Sequence, residues 1–281
     1  MVENPATVAA EAVANARPDL DPDANRTSVW HTLVPALRYR RTAMSSHDQD
    51  EPPLTRALGH LWRAPRPARR SGGLSVDRIV AAAIELADAD GLTALSMAKL
   101  AQRLGCGTMS LYRHVSNKDE LVTFMLSSVA GPPPVPARDA NWSDALTVWA
   151  NGLWDVLLRH PWILQTASSG PPTDPGQLSW LDAGLAALAT TGLTEQDKLR
   201  AVMAVLHYVR GAAALATEAG SIPEPSYAGL LGRLVDAQRF PALAAALDAG
   251  AFDGASGDPL TEFHSGLRQL IDGVAVRVVG R

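Results

Sequence analysis

Between residues 75 and 130 the apolar positions recur at helical spacing in four short blocks. Ile79, Ala83, Leu86 and Ala87 make the first; Ser75 can cap it, Asp77 suits its first turn, and Gly91 ends it. Met97, Leu100, Ala101 and Leu104 make the second, opened by Ser96. Gly105 closes it, because glycine takes the left-handed conformation cheaply. Cys106 and Gly107 turn the chain, and a third helix of about two turns follows from Thr108 to His114. It carries Leu111 and Val115 inward and leaves Thr108, Met109, Ser110, Tyr112, Arg113 and His114 to face out. Asn117, with Glu120 after it, makes a capping box for a fourth helix from Lys118 to Ala130. Leu121, Phe124, Met125 and Val129 are its apolar positions, and Pro132 to Pro134 lie beyond its end.

Past Pro136 the helical period continues. Helices are expected over Trp142 to Arg159, near Ile163 to Ser168, over Gly176 to Thr190 and over Thr194 to Thr217. A stretch from Ala228 to Ala249 is broken at Pro241, and a last helix runs from Pro259 to Val279, with proline at a favoured helix start. Residues 170–176 and 220–225 read as loops. No alternating pattern supports a strand, so the fold class is all-α, without an internal repeat.

The N-terminal part differs. Residues 1–52 are rich in Ala, Pro, Asp, Arg and Ser without a sustained period and read as a disordered extension. Met44, followed by a polar stretch, is a candidate natural start. Leu54 to Trp62 can form a short helix. Arg63, Arg66, Arg69 and Arg70 then fall among prolines, within a basic arm over residues 53–73. Such an arm is either a solvated linker or one that follows a DNA backbone or enters a minor groove. Residues 74–131 and 132–281 are the two expected helical domains.

Charge sharpens this division. The net charge of −4 conceals a basic segment, with ten Lys and Arg against six Asp and Glu from Pro53 to Gly131. The rest is acidic, with ten against fifteen from Pro132 onward. A basic end on an acidic body suits contact with a polyanion at one end. Cys106 is the one cysteine, so no intrachain disulfide forms, and a reducing cytoplasm fits. It reads as a small core residue of the turn. No uninterrupted apolar run approaches the roughly 20 residues that span a bilayer, and no secretory layout opens the chain, so no membrane partner is expected.

A short helix with outward hydroxyl, aromatic, imidazole and guanidinium groups is what a major-groove reader needs. Two short helices joined at a glycine also occur in helical proteins that touch no DNA. The sequence LSMAKLAQRLGCGTMSLYRHVSNKDEL, from Leu95 to Leu121, resembles the DNA-binding domain of the tetracycline-repressor (TetR) family, and the likeness extends from about Ser75 to Val129. The Leu111 to Lys118 run is its most specific part. AVLHYVRG, Ala204 to Gly211, resembles the start of the long regulatory helix of the tetracycline-repressor subgroup.

The resemblance implies a dimeric, ligand-released repressor. Its operator would be a roughly palindromic stretch of double-stranded DNA, and its effector an unknown small molecule. The homodimer would pair through Thr194 to Thr217 and Pro259 to Val279. It implies DNA contacts from Thr108, Met109, Ser110, Tyr112 and His114. Arg113 can take guanine or a phosphate, Lys118 can clamp phosphate from a helix start, and Lys99 can touch backbone. Arg69 and Arg70 join them from the arm. Thr108, Met109 and Arg113 differ from the tetracycline repressor, so its operator does not transfer. Ala167 and Leu215 stand where that subgroup has its metal-ligating His and a nearby acid, so no metal site and no tetracycline–magnesium effector are expected.

An effector pocket has Trp149, Leu153, Trp154, Trp162, Trp180, Met203, His207 and Arg210 as candidate lining. Taken singly, each of these residues reads first as core; as a set, and chiefly through the family resemblance, they point to a pocket among these helices. Phosphate-loop, HExxH, CxxC and GxSxG patterns are missing, so no catalytic residue and no cofactor are expected. Two alternatives stay open at this point: an all-α enzyme with a site assembled from distant residues, and a DNA-binding activator.

Overall fold

A computed structural model describes residues 59–62, 73–166, 173–219, 227–252 and 258–280. The extension 1–52 and Arg63, Arg66, Arg69 and Arg70 of the arm lie outside the described residues, as does Ala167. The described part falls within one compact unit, residues 51–281.

Residues 59–61 are helical, and ten further α-helices follow among the described residues, with no strand. They are α1 Val76–Asp90, α2 Met97–Leu104, α3 Thr108–Tyr112, α4 Lys118–Val129, α5 Trp142–Arg159 and α6 Pro175–Ala187. After them come α7 Glu195–Ala219, α8 Tyr227–Leu234, α9 Pro241–Asp248 and α10 Pro259–Val279. Two 3-10 segments, Leu92–Ala94 and Pro161–Thr166, join α1 to α2 and follow α5.

The caps work as their side chains require. Ser75 Oγ accepts the Arg78 N–H, and Ser96 Oγ accepts the Lys99 N–H. Asn117 Oδ1 accepts the Glu120 N–H at 2.8 Å. Glu120 reaches back one residue further than a capping box requires, to the N–H of Ser116. Gly105 sits at φ +66°, the left-handed cap that its sequence position implies. The third helix is shorter than expected: it ends at Tyr112, and the N–H groups of His114 and Val115 both turn back to Leu111 O.

Two cores result. Ile79, Ala83, Leu100, Leu111, Val115, Leu121 and Met125 pack α1 to α4 together. Leu146, Trp149, Trp154, Val202, Val205, Val209, Phe263 and Leu267 pack α5, α7 and α10. Trp154 stacks on Phe263 with ring centroids 4.3 Å apart.

Mean hydropathy gives a different picture of α7 from a search for uninterrupted apolar runs. Among the described residues its segment Glu195–Glu218 is, by length and composition alone, long and apolar enough to cross a membrane. One face of it, Val202, Val205, Val209 and Ala213, is buried in this core. Leu215 on the opposite face is 69% exposed.

Candidate nucleic-acid interface and its link to the C-terminal helices

α3 is held by its buried side and offers the other. Leu111 and Val115 are fully buried, while Met109 is 74% exposed. Thr108, Tyr112, Arg113, His114 and Lys99 are exposed as well, and Ser110 is half-buried. Arg113 reaches Ser110 Oγ at 3.4 Å, at the edge of hydrogen-bond range, so its guanidinium is lightly held. The five-residue helix is braced by α2 and by the tight turn at Gly105. Cys106 packs partly against this core.

Lys118 is placed differently from a free clamp. Its ammonium donates to the Leu92 carbonyl at 3.0 Å and lies partly buried over the 3-10 turn. An ammonium has three donors, so two remain for an anion. The carbonyl contact fixes where they point.

The helices that carry this face are joined to the C-terminal helices at several points. Asp88 on α1 accepts the Trp162 indole N–H at 2.8 Å and lies 2.7 Å from Nδ1 of His160. The first turn of α6 presses on the last turn of α4. The Gly176 N–H donates to Ser127 Oγ, and a Cβ on Gly176 would stand 2.0 Å from Ser127 O. The Trp180 indole donates to Gly131 O at 3.0 Å. Trp62 donates to Thr173 O at 3.1 Å, while His60 meets the ring of Phe124. Leu61, Val76, Val80, Ile84, Phe124 and Val129 border a groove of about 540 Å³ on this side of α1 and α4.

The candidate effector residues do not gather around one open cavity. Trp149, Trp154, Trp162 and Trp180 are buried. Three of their indole N–H groups are satisfied within the protein, Trp149 by Trp180 O at 2.7 Å. Leu153 and Met203 are half-buried. His207 is exposed on α7 rather than turned inward. Arg210 is half-buried, and its Nη2 is shut off from solvent without a partner. No group of three or more His, Cys, Asp or Glu side chains able to hold a metal ion occurs among the described residues.

Sequence reasoning passed over Asp88, His160, Ser127 and Gly176. Their partners lie 72, 74 and 49 residues away, and helical periodicity reports only neighbours on one helix.

Known proteins share both halves of this arrangement. The family described as bacterial regulatory proteins, tetR family, matches residues 79–123, and the tetracyclin repressor-like C-terminal domain matches residues 135–278. The HTH-type transcriptional repressor DrrR1 of Streptomyces coeruleorubidus is 33% identical over 81% of this chain and 88% of its own length. An HTH-type transcriptional regulator of Saccharopolyspora erythraea is 35% identical over 78% of this chain and 92% of its own. The crystal structure of the Streptomyces coelicolor protein ActR in complex with actinorhodin matches with a TM-score of 0.64 at 28% identity. That match covers 74% of this chain and 99% of ActR.

Proposed function

The chain belongs to the TetR family of bacterial regulatory proteins and is a DNA-binding transcriptional regulator, and on that premise we propose how it works. It binds a roughly palindromic operator as a homodimer, in the cytoplasm, and a small molecule in the C-terminal helices releases it. The observation that carries this reading is α3 itself, anchored by Leu111 and Val115 and leaving Met109 and Tyr112 exposed on a basic segment.

On this reading Thr108, Met109, Ser110, Tyr112, Arg113 and His114 meet the major groove. Met109 suits a thymine methyl, and Arg113 a guanine edge or a phosphate. Lys99 and Lys118 hold phosphates and set the register. Arg69 and Arg70 add contacts from the arm. The exposed Leu215 on α7 and Val276 on α10 belong to the dimer face, which accounts for apolar side chains left in solvent on the single chain.

Coupling runs through two contacts on the reader's supports. Asp88 links α1 to the 3-10 segment after α5, and Ser127 with Gly131 links α4 to α6. An effector that moves α6 or the 3-10 segment moves α4 and α1 with it, and so changes the spacing of the two reader helices. That is a shift between DNA-competent and incompetent dimers. The actinorhodin complex of ActR supports a small-molecule effector here.

Selection of bound fragments from a random duplex library, followed by salt titration, tests this reading. A palindromic winner whose affinity falls steeply with salt is expected. Binding without sequence preference would overturn it.

A further inference from the structure

Arg210 presents an energetic problem that the rest of the fold does not solve. It sits on α7, two residues after Tyr208, whose hydroxyl donates to Phe263 O of α10 at 3.0 Å. Two residues are about 200° of helix, so Arg210 lies on the flank of α7 turned away from α10. Leu206 and Met203, one and two turns back, share that flank and are half-buried.

Its Nη2 is buried with no hydrogen-bond partner. The ion pairs of the described residues, Arg103–Glu85, His160–Asp88, Lys198–Glu195 and Arg200–Asp197, leave it out. Within one turn on its own helix stand Leu206, His207, Ala213 and Ala214, none of them an acid. Burial pulls the guanidinium's proton affinity below its ordinary value. Arginine cannot relieve that cost by losing its proton, as a lysine can. A guanidinium nitrogen shut off from water without a partner is costly, and an acid group placed beside it would relieve that cost.

We propose that the effector is an apolar molecule bearing an acid group, a carboxylate or sulfonate, and that the Arg210 guanidinium binds that group while Leu206 and Met203 meet the apolar body. The inference rests on the effector-responsive reading above and adds the ligand's charge to it. The planar fork of the guanidinium fits two oxygens of an acid side by side. The apolar flank disfavours a small hydrated anion such as phosphate, which has nothing to offer Leu206 and Met203.

A matched pair of fluorescent probes separates charge from apolar burial. 8-Anilinonaphthalene-1-sulfonate carries a sulfonate, and N-phenyl-1-naphthylamine is nearly the same body without it. Titrated into the full-length protein, the sulfonate is expected to bind at least about tenfold more tightly, the lower range for a charge-assisted hydrogen bond. In Arg210→Met that preference should disappear, while Arg210→Lys keeps part of it. Arg210→Met should also melt no lower than the wild type, because a guanidinium nitrogen left without a partner has been removed. Equal affinity for the two probes, binding of neither, or a preference that survives Arg210→Met would overturn the proposal. If the methionine variant fails to fold, the wild-type comparison and the lysine variant still decide. The effector reading is read separately, by release of operator DNA under a panel of neutral and acidic aromatic compounds. Release by neutral compounds alone would leave that reading standing and overturn the acid group.

Discussion

Asp88 accepts the indole N–H of Trp162 at 2.8 Å across 74 residues of chain. The same oxygen lies 2.7 Å from Nδ1 of His160. Asp88→Ala leaves the N–H of a fully packed Trp162 without its acceptor, which costs about 1–3 kcal/mol. Urea denaturation should show that loss. Operator affinity without effector should fall less than the response to effector does, because on the proposed reading the contact joins the two halves and lies away from the DNA. An unchanged effector response would remove Asp88 from the coupling.

The exposed side chains of α3 separate stability from DNA binding. Met109→Ala should shift the unfolding midpoint negligibly, since the side chain is 74% exposed, and should weaken operator binding by roughly 1–3 kcal/mol at one base step. Lys118→Met should weaken all duplexes alike and lower the salt slope by about one. Leu111→Ala, at a fully buried position, should cost about 2–5 kcal/mol and abolish binding through unfolding. Fluorescence anisotropy at several salt concentrations distinguishes the three.

Gly176 meets backbone rather than a yielding side chain. Gly176→Ala drives its methyl into Ser127 O and forces α4 and α6 apart, at about 1–3 kcal/mol. Gly232→Ala on α8, with no atom within 4 Å of the new Cβ, should instead stabilise by about 0.5–1 kcal/mol. Thermal melts of the two variants should move in opposite directions.

Leu215 and Val276 are 69% and 73% exposed on helices that otherwise bury apolar faces. Leu215→Asp with Val276→Asp should yield a monomer by sedimentation and lower operator affinity by orders of magnitude. A dimer that persists would move the interface elsewhere.

Tyr208 sets a limit at alkaline pH. Burial, and then the charge of Glu262, raise its phenol above the ordinary value, so the folded chain holds this proton more tightly than the unfolded one. The stability that follows is fully present below a pH of about 10 and is lost as pH rises further. Tyr208→Phe should unfold with a shallower alkaline slope than the wild type.

The helices, and the ends marked by caps, were readable because caps and periodicity are local, while the early end of α3 at Tyr112 was not. Ser75, Ser96, Gly105 and Asn117 each state an end in their own chemistry, and the outward set on α3 follows from Leu111 and Val115 facing in. The contacts between the halves were not readable. Nothing in the sequence around Asp88 marks its partners, and Gly176 sits at the edge of a loop and a helix without a sign of what it meets. Only the packing of α1 and α4 against distant segments gives either a role. The tryptophans were legible as large apolar residues, but the partners of three of their indole N–H groups, Trp180 O, Asp88 and Gly131 O, lie on segments that periodicity does not connect.

The fit of Gly176 against Ser127 also bears on how the molecule comes apart. With Trp180 on Gly131 and Trp162 on Asp88, the DNA-reading helices owe part of their stability to residues more than forty positions away. They are therefore expected to melt with the C-terminal helices in one cooperative transition rather than as an independent module. A fragment cut after Gly131 would be a weaker fold than the same helices in the whole chain. Any ligand that stabilises the C-terminal core would raise the melting temperature of the reader helix without touching it.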